Sequence, residues 1–309
     1  MNSLLDIAIK AARLAGEAIM EVYAQPFEVF VKDDASPVTL ADLRASDIIK
    51  ETLQPTGLPF VSEEDLPPTR SVFDRYWLVD PLDGTKEFVN RNGEFTVNIA
   101  LMEHHRPVMG VIYAPVTQQL WYNEDNQRVR HCERSEATQP ELSKPFNVRP
   151  FTVLVSRSHR TQEVDDYIDK VLRPRHPDLV IDSQGSSLKF ARLVEGTADV
   201  YVCYSKTKEW DTAAADAILT AAGGKVLRIG DGLPLEYDKE DYPNPPFVAW
   251  APDHVIARTP KGSPTEWEVT GAKRSLPRAN RGGGNPLAMT YSSLLFSHPI
   301  GSPYRKFRD

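Results

Sequence analysis

Two carboxylates, those of Asp80 and Asp83, stand directly after an apolar run at 76–79 that has the composition of a buried strand. Gly84 and Thr85 follow at once and open a predicted short helix. The strand therefore delivers two carboxylates beside the free backbone N–H groups of a helix N-terminus. Carboxylates suit a hard divalent cation, and free N–H groups suit a phosphate. This spacing indicates metal-assisted phosphate chemistry, and the alternative is a surface corner in which Asp83 only caps the helix.

Two further acidic elements lie at predicted ends of regular structure. Glu63 and Glu64 follow the apolar residues 58–61, although consecutive acids are more often typical of a solvated loop. Asp211 stands at the start of an alanine-rich segment, where it could serve only as the N-cap of a helix. Ends of regular structure are where a scaffold presents functional groups. The two elements therefore add candidate ligands to the first pair.

Length and composition fit a globular protein with a substantial core. The chain has 309 residues, of which 41% are hydrophobic, enough for one large domain or two closely packed ones. Its net charge of −7 argues against a surface that binds nucleic acid, because such surfaces depend on Lys and Arg. Two cysteines do not make a disulfide framework, and no apolar run approaches the ~18 residues that cross a bilayer. Residues 4–23 have the spacing of a packed amphipathic helix rather than a signal peptide, which favours the cytoplasm.

The order of the motifs resembles that of a known family. Asp-Pro-Leu-Asp-Gly-Thr at 80–85, followed far downstream by Trp-Asp-Thr-Ala-Ala at 210–214, is similar to the hallmark of the inositol monophosphatase superfamily. Within it, the longer string at 76–102 resembles the CysQ-type 3′(2′),5′-bisphosphate nucleotidases. The resemblance covers roughly residues 1–255, and its other pieces are Ser-Pro-Val-Thr at 36–39, Val-Ser-Glu-Glu-Asp at 61–65, Ser-Arg-Ser-His at 156–159, Gly-Ser-Ser-Leu-Lys-Phe at 185–190 and Asn-Pro at 244–245.

The fold that this resemblance implies is α/β with an α+β N-terminal half. It is the layered α-β-α-β-α sandwich of the inositol monophosphatase and fructose-1,6-bisphosphatase type. Residues 1–150 would carry the metal and phosphate motifs, and residues 151–258 would close the site. The second of these regions alternates strand and helix patterns, with strands at 152–155, 179–181 and 199–204 and helices near 163–172, 187–194 and 212–222.

A hairpin is predicted in the N-terminal region. Apolar runs at 95–102 and 108–113 are separated by four polar residues, the pattern of two strands and a turn. His104 and His105 are adjacent in that turn, so we expect them to be exposed rather than to bind a ligand.

Two stretches depart from the family pattern. Residues 123–147 are strongly polar and lack the glycine-bearing strand pair that the family usually has there. Residues 259–309 contain six Gly, six Pro and six Ser, with eight Lys or Arg against three Asp or Glu. Their net charge of +5 leaves −12 on residues 1–258. Such a composition predicts a disordered basic tail, passive rather than in contact with membrane or nucleic acid.

For the metal, the resemblance implies two or three Mg²⁺ ions, which prefer oxygen ligands in near-octahedral geometry. Glu64 would support these ligands. Carboxylates so close together repel one another in the metal-free protein, so we expect at least one pKa to be raised. Metal binding should then stabilise the fold by mass action. The implied ligands are Glu63, Asp80, Asp83, Asp211 and the backbone carbonyl of Leu82.

For catalysis, the resemblance implies roles for Asp42, Thr85 and Glu63. In the family pattern Thr85 pairs with Asp42, and this dyad orients and deprotonates the attacking water. The alternative is that the Thr85 hydroxyl bonds only within its own turn, the usual role of a threonine there. Two metals that share a carboxylate can serve both ends of an in-line displacement.

For the substrate, the backbone N–H groups of Gly84 and Thr85 are candidates for holding the phosphate that is cleaved. Lys86 adds a cation close by. Residues 185–187 begin a predicted helix and could hold a second phosphate, although an ordinary capped helix is the alternative. The implied substrate contacts are Glu63, Leu82, Asp83, Gly84, Thr85, Lys86, Ser186, Ser187, Lys189 and Asp211.

The resemblance therefore implies a lithium-sensitive, Mg²⁺-dependent phosphatase. It would remove the 3′-phosphate of 3′-phosphoadenosine 5′-phosphate, a by-product of sulfur assimilation, to give AMP and phosphate. An inositol or sugar monophosphate phosphatase is the alternative enzyme, and an inactive metal- or nucleotide-binding protein is the alternative from another class. The expected partner is a small nucleotide bisphosphate, with no nucleic acid and no stable membrane insertion. The oligomeric state stays open, as does a peripheral position at the cytoplasmic face of the inner membrane.

Overall fold

The structure, a computed structural model, describes residues 3–31, 37–67, 73–125, 128–132 and 149–252, and these contain both helices and strands. The helices are α1 (Leu4–Tyr23), α2 (Leu40–Leu53), α3 (Thr85–Val89), α4 (Gln162–Tyr167), α5 (Leu188–Val194) and α6 (Glu209–Ala221). The strands are β1 (Val29–Val31), β2 (Pro37–Thr39), β3 (Phe60–Ser62), β4 (Arg75–Asp83), β5 (Thr96–Glu103), β6 (Arg106–Ala114), β7 (Gln119–Asp125), β8 (Arg128–Cys132), β9 (Thr152–Ser156), β10 (Val180–Gln184), β11 (Val200–Cys203), β12 (Lys225–Arg228) and β13 (Phe247–Trp250). A 3₁₀ turn at Gln54–Thr56 follows α2, and a π-helical turn at Ile168–Leu172 follows α4.

The first helix, α1, has a buried face that consists mostly of alanine. Ser3 caps its N-terminus: the Ser3 hydroxyl accepts from the Asp6 N–H, and the Asp6 carboxylate accepts from the Ser3 N–H. Small side chains let α1 lie close to α2 and to the sheet behind them. The buried residues of this face include Ala8, Ala11, Ala12, Ala15 and Ile19.

The larger sheet has six strands in the order β3-β4-β5-β6-β7-β8, with β3 parallel to β4 and the other pairs antiparallel. Successive side chains of a strand point to opposite faces. In β4, Trp77 and Val79 pack with α1 and α2, whereas Tyr76 and Leu78 pack with α5 and α6. Because both faces are covered, β4 reads as a continuous apolar run in the sequence.

The smaller sheet has five strands in the order β10-β9-β11-β13-β12, of which β10, β9 and β11 are parallel. Leu154 and Tyr201 pack with α5 and α6 on one face, and Val153 and Val200 pack with α4 on the other. The helices and sheets therefore form five layers, α-β-α-β-α, and the expected fold class is confirmed.

The hairpin predicted at 95–113 is confirmed as β5 and β6. Its turn consists of His104 and His105, both with left-handed φ values of 47° and 60°. His105 is half exposed, and its Nδ1 lies 2.9 Å from a carboxylate oxygen of Asp238. The predicted helix near 163–172 is divided into α4 and the π-helical turn.

The prediction that residues 123–147 lack the strand pair of the family is wrong where the structure describes them, at 123–125 and 128–132, although the pair contains no glycine. β7 and β8 pair in antiparallel fashion and form the end of the larger sheet. His131 stacks on Trp121 with ring centroids 4.9 Å apart, and Val129 packs against the core. The polar composition concealed β8, because an edge strand needs apolar side chains on one face only. Residues 133–147 lie outside the described residues.

Within the described ranges, no helix is long and apolar enough to cross a membrane. These ranges all belong to one compact unit of the chain. The division at residue 150 stays a prediction, and the predicted tail at 259–309 falls outside the ranges that the structure describes.

Candidate active site

Asp80 lies near the end of β4, where the strand stops pairing regularly. It pairs with Asn98 of β5, and the register shifts between Asp80 and Asp83. Such irregularities re-aim side chains and are common beside functional sites. Asp80 is buried, 1% exposed, and one of its carboxylate oxygens accepts from the Leu82 N–H at 3.1 Å.

Three carboxylates from three different elements meet at this point. Glu63 follows β3, which is parallel to β4, and its N–H donates to the Val79 carbonyl at 3.2 Å. Asp211 lies in the first turn of α6, where its carboxylate accepts from the Lys208 N–H at 2.7 Å. Glu63, Asp80 and Asp211 each place an oxygen within 4.8 Å of the other two. Asp211 is therefore not the N-cap of its helix, which is Lys208.

Burial and mutual repulsion dominate the electrostatics of this acidic group. Burial raises the pKa of Asp80 well above its usual range, and the charges of Glu63, Asp83 and Asp211 raise it further. Burial also raises the pKa of Asp211, with Asp83 and Glu63 adding to the effect. The expected pKa rise is confirmed. An oxygen-only set of crowded carboxylates fits a hard divalent cation, which would relieve the repulsion.

Asp83 lies at the edge of the acidic group and is tied to the second half of the chain. Its Oδ2 accepts from the Ser187 hydroxyl at 2.7 Å and from the Asn98 amide at 3.2 Å. Burial raises its pKa, whereas Lys189 and these hydrogen bonds lower it. Asp83 does not cap α3, because the N-cap is Gly84.

The Thr85 hydroxyl has two acceptors within reach. It lies 3.1 Å from Oδ1 of Asp42 and 3.3 Å from the carbonyl oxygen of Leu82 in its own turn. The other oxygen of Asp42 accepts from the N–H and the hydroxyl of Thr39 at 2.8 and 2.7 Å. Burial raises the pKa of Asp42, and the hydrogen bonds from Thr39 and Thr85 oppose this. The structure thus brings the predicted dyad together, and the turn contact of Thr85 is present beside it.

The start of α3 and the loop before α5 come together at Gly84 and Ser186. Gly84 has a left-handed φ of 93°, and a Cβ there would lie 3.1 Å from the Glu94 carbonyl and 3.3 Å from Cβ of Ser186. Only glycine combines this φ with so close an approach. Ser187 is buried and joins Asp83 to Asn98, from which it accepts at 2.8 Å.

The two lysines predicted to contact substrate have different surroundings. Lys86 is exposed, and its ammonium lies 2.8 Å from Nε2 of His159. Lys189 is only 5% exposed, and its ammonium donates to the carbonyls of Ser186 at 2.7 Å and Gln184 at 3.4 Å. Burial lowers its pKa. Lys189 therefore supports the loop before α5, and its direct contact with substrate stays a prediction.

Three polar residues outside the predicted site also connect these elements. Asn98 could have been found from the sequence, because it is a polar residue between the apolar Val97 and Ile99, and in the structure it pairs with Asp80. Glu87 and Glu94 join the first half of the chain to the loops after β9 and β10. Glu87 accepts from the Ser158 hydroxyl at 2.6 Å, and Glu94 accepts from the Gly185 N–H at 2.7 Å.

The five-layer fold and the acidic group define a metal-dependent phosphatase. A model of the "Inositol monophosphatase family" matches residues 1–261, and the chain belongs to this family. Among curated relatives, the "3′(2′),5′-bisphosphate nucleotidase CysQ" of Shigella flexneri is 43% identical over 251 residues, covering 79% of this chain and 98% of the relative. The protein of the same name from Salmonella typhimurium is 44% identical over 252 residues, with the same coverage.

Solved structures give the same result for the fold. CysQ from Bacteroides thetaiotaomicron, described as a bacterial member of the inositol monophosphatase family, superposes with a TM-score of 0.70 at 41% identity, covering 79% of this chain and 96% of that one. The extragenic suppressor protein suhB from Bartonella henselae has a TM-score of 0.66 at 23% identity, covering 83% and 97% of the two chains. At that identity the second match supports the fold alone.

Proposed function

We propose that this protein is a Mg²⁺-dependent 3′(2′),5′-bisphosphate nucleotidase that removes the 3′-phosphate of 3′-phosphoadenosine 5′-phosphate and releases AMP and phosphate. The observation that carries the proposal is the acidic group of Glu63, Asp80 and Asp211 beside the contact of Thr85 with Asp42. It occurs in a chain that aligns with 98% of the length of relatives bearing that name.

Mg²⁺ is the proposed ion, in two or three positions, because every candidate ligand is an oxygen. Glu63, Asp80, Asp83 and Asp211 would hold it, together with the Leu82 carbonyl. Bound metal supplies the charge that activates water and stabilises the leaving oxygen. Glu64, directly after Glu63, would support these ligands.

The proposed role of Thr85 and Asp42 is to orient the attacking water and to accept its proton. The Thr85 hydroxyl donates its hydrogen to Asp42 at 3.1 Å. The lone pairs of the Thr85 oxygen would then accept a hydrogen bond from the attacking water. Burial raises the pKa of Asp42, which makes this carboxylate a better proton acceptor. Glu63 would share in positioning the water from the side of the metal.

Two phosphate subsites are proposed on either side of this centre. The N–H groups of Gly84 and Thr85 would bind the phosphate that is cleaved. Lys86, together with Ser186 and Ser187 in the loop before α5, would bind the phosphate that remains. The proposal places the enzyme in the cytoplasm with a small nucleotide as its substrate, and the net charge of −7 argues against nucleic acid as a partner.

The test is phosphate release from four substrates, each with Mg²⁺ and with chelator. The substrates are 3′-phosphoadenosine 5′-phosphate, AMP, inositol 1-phosphate and fructose 1,6-bisphosphate. We expect the bisphosphate nucleotide to be hydrolysed far faster than the others, and only with Mg²⁺. Preferential hydrolysis of inositol 1-phosphate or the sugar bisphosphate would favour the alternative phosphatase, and full activity in chelator would refute the metal role.

Replacement of Asp83 tests the acidic site directly. Asp83→Asn removes one negative charge but keeps the size of the side chain and a group that can bond to Ser187. We expect the variant to fold, shown by an unchanged circular dichroism spectrum, and to lose turnover. Asp47→Asn is the matched control, because Asp47 is exposed on α2, and it should retain full activity. An active Asp83→Asn enzyme would exclude the proposed role of this carboxylate.

A further inference from the structure

We propose that residues 237–244, here called the strap, form a positioning element that holds Asp211 in place for metal binding. Asn244 and Glu209 are the residues that fasten the strap to the first turn of α6. The inference rests on the proposed role of Asp211 as a metal ligand. It does not depend on which phosphate ester the enzyme hydrolyses.

Asn244 ties the end of the strap to α6. Its side-chain Nδ2 donates to the Lys208 carbonyl at 2.6 Å and to the Thr212 hydroxyl at 3.1 Å. Its backbone N–H donates to the Thr207 carbonyl at 2.9 Å. Lys208 is the N-cap of α6, and the Lys208 N–H is the group that donates to the Asp211 carboxylate. Asn244 therefore fixes the residue that orients Asp211, and it also bonds to the residue that follows Asp211.

Glu209 ties the middle of the strap to the same turn. It is fully buried, and its carboxylate accepts from the backbone N–H groups of Asp238 at 2.7 Å and Lys239 at 2.9 Å. The Lys239 ammonium lies 2.7 Å from the same carboxylate. The Glu209 N–H in turn donates to the Tyr242 carbonyl at 2.9 Å. A buried carboxylate needs hydrogen-bond partners, and the strap supplies them to Glu209 through Asp238 and Lys239.

The backbone of the strap is strained, so these contacts are needed to keep its shape. Asp238, Asp241 and Tyr242 all have left-handed φ values, of 66°, 58° and 55°. Non-glycine residues adopt this region rarely, and several together persist only when the surroundings fix them. One contact that fixes this backbone comes from the Lys208 ammonium, which donates to the Asp241 carbonyl at 2.6 Å.

A fixed first turn of α6 matters because the carboxylates that it faces repel Asp211. Glu63 places a carboxylate oxygen within 4.8 Å of Asp211, and like charges at that distance push apart. The first turn of a helix is also the region that frays most readily, because its N–H groups lack intrahelical partners. The strap opposes both effects, so the acidic group stays assembled before a metal binds.

The experiment measures metal binding without substrate. Asn244→Ala removes the side-chain bonds to Thr207, Lys208 and Thr212 and leaves the proposed metal ligands intact. Mg²⁺ and Mn²⁺ are titrated by calorimetry, and the melting temperature is recorded in chelator and in saturating metal. We expect metal affinity to fall about tenfold, in the range found for residues that orient metal ligands, and the metal-induced rise in melting temperature to shrink. Glu240→Gln, an exposed change within the strap, should match the unmodified protein.

A purely structural role would give a different result. The melting temperature of Asn244→Ala would then fall equally in chelator and in metal, with metal affinity unchanged, and this outcome would overturn the proposal. If Asn244→Ala does not fold, Thr212→Val decides instead, because it keeps the shape of a buried side chain and removes one partner of Asn244. Normal metal affinity in that variant would also overturn the proposal. The measured metal affinities and melting temperatures would stay valid even if the nucleotidase assay failed, because they are recorded without substrate.

Discussion

The hydroxyl of Thr85 has two possible hydrogen-bond acceptors, the Asp42 carboxylate and the Leu82 carbonyl of its own turn. Only the contact with Asp42 would help to activate the attacking water. Asp42, 43 residues earlier in the chain, is 3.1 Å away, and the Leu82 carbonyl is 3.3 Å away. Asp42 is buried and already accepts twice from Thr39. Because the hydrogen bonds from Thr39 fix the Asp42 carboxylate, it can also fix the orientation of the Thr85 hydroxyl.

A double-mutant cycle separates the two roles of Thr85. Thr85→Ala should lower kcat by about 10²–10⁴-fold if the dyad activates water, and Asp42→Asn should cost a similar factor. The double variant should lose little more, because residues that act as one unit are not additive. Steady-state kinetics with saturating Mg²⁺ provides the measurement. Losses that multiply, or an Asp42→Asn variant with normal kcat, would show that Thr85 only closes its own turn.

Asp216 is a titrating group away from the acidic site. Its two oxygens accept from the Tyr237 hydroxyl at 2.8 Å and the Thr220 hydroxyl at 3.0 Å, and burial raises its pKa to about 6. In the unfolded chain the pKa is about 3.9. The folded state therefore binds the proton more tightly between these values, and the protein loses stability as the pH rises through this range, by about 1–3 kcal/mol.

Asp216→Asn should remove this pH dependence. An amide stays neutral and can exchange hydrogen bonds with both hydroxyls, so the variant should gain stability over the unmodified protein as the pH rises from about 4 to about 7. The measurement is the melting temperature at each pH, with chelator present throughout so that metal binding does not contribute. Asp178→Asn, at an exposed position, is the control. If the melting temperatures of the variant and of the unmodified protein changed with pH in the same way, Asp216 would not be the group responsible for the pH dependence.

Helix α6 is the element that joins the two sheets and carries Asp211. It packs on β4, β5 and β6 through buried alanines, among them Ala213, Ala214 and Ala215. Gly110 of β6 makes this close approach possible, since a Cβ there would overlap the carbonyl oxygen of Ala214. The position of Asp211, the proposed metal ligand, thus depends on the absence of a side chain at Gly110 in the neighbouring strand.

Gly110→Ala should consequently destabilise the protein. Overpacking of this kind costs about 1–3 kcal/mol, which lowers the melting temperature by roughly 2–4 °C per kcal/mol for a domain of this size. Because α6 would be displaced, the Mg²⁺ concentration needed for half-maximal activity should also rise. Val116→Ala, in the exposed turn after β6, should leave both quantities unchanged. A stable variant with normal metal dependence would show that α6 can shift without disturbing Asp211.

Charge is divided unequally along the whole chain. Residues 259–309 carry +5, and residues 1–258 carry −12. The family match ends at residue 261, and the last strand of the smaller sheet, β13, ends at Trp250. The curated relative from Shigella flexneri aligns over 98% of its own length while covering 79% of this chain. The last strand of the smaller sheet therefore ends before the basic segment begins, and the family match includes only the first three residues of that segment.

Truncation after residue 258 should leave Mg²⁺-dependent activity and the melting temperature nearly unchanged. The composition of the removed segment, rich in Gly, Pro and Ser, does not supply a core. The measurement compares the truncated and full-length proteins in the phosphate-release assay and in thermal melting. A fall of several degrees, equivalent to about 1 kcal/mol or more, would show that the segment contributes to the folded protein.

Local signals predicted the separate helices and strands and marked the candidate acidic residues, whereas the five-layer fold came from the resemblance of the motif order to a known family. The apolar run before Asp80 indicates a buried strand, and the alanine-rich segment after Asp211 indicates a helix. Both patterns can be recognised from neighbouring residues alone. The same is true of the turn at His104 and His105. The motif order then indicated the family, and the fold with its ordered layers followed from that.

Tertiary structure alone decided which side chains meet. Ser187 bonds to Asp83 across 104 residues of sequence. The Lys189 ammonium donates to the backbone carbonyls of Ser186 and Gln184, which its motif in the sequence does not reveal. The strand β8 was concealed by its polar composition, and the strap by its lack of any periodic pattern. Such contacts depend on the packing of separate elements against each other, and a one-dimensional pattern records which face of an element is apolar but not which partner that face will meet.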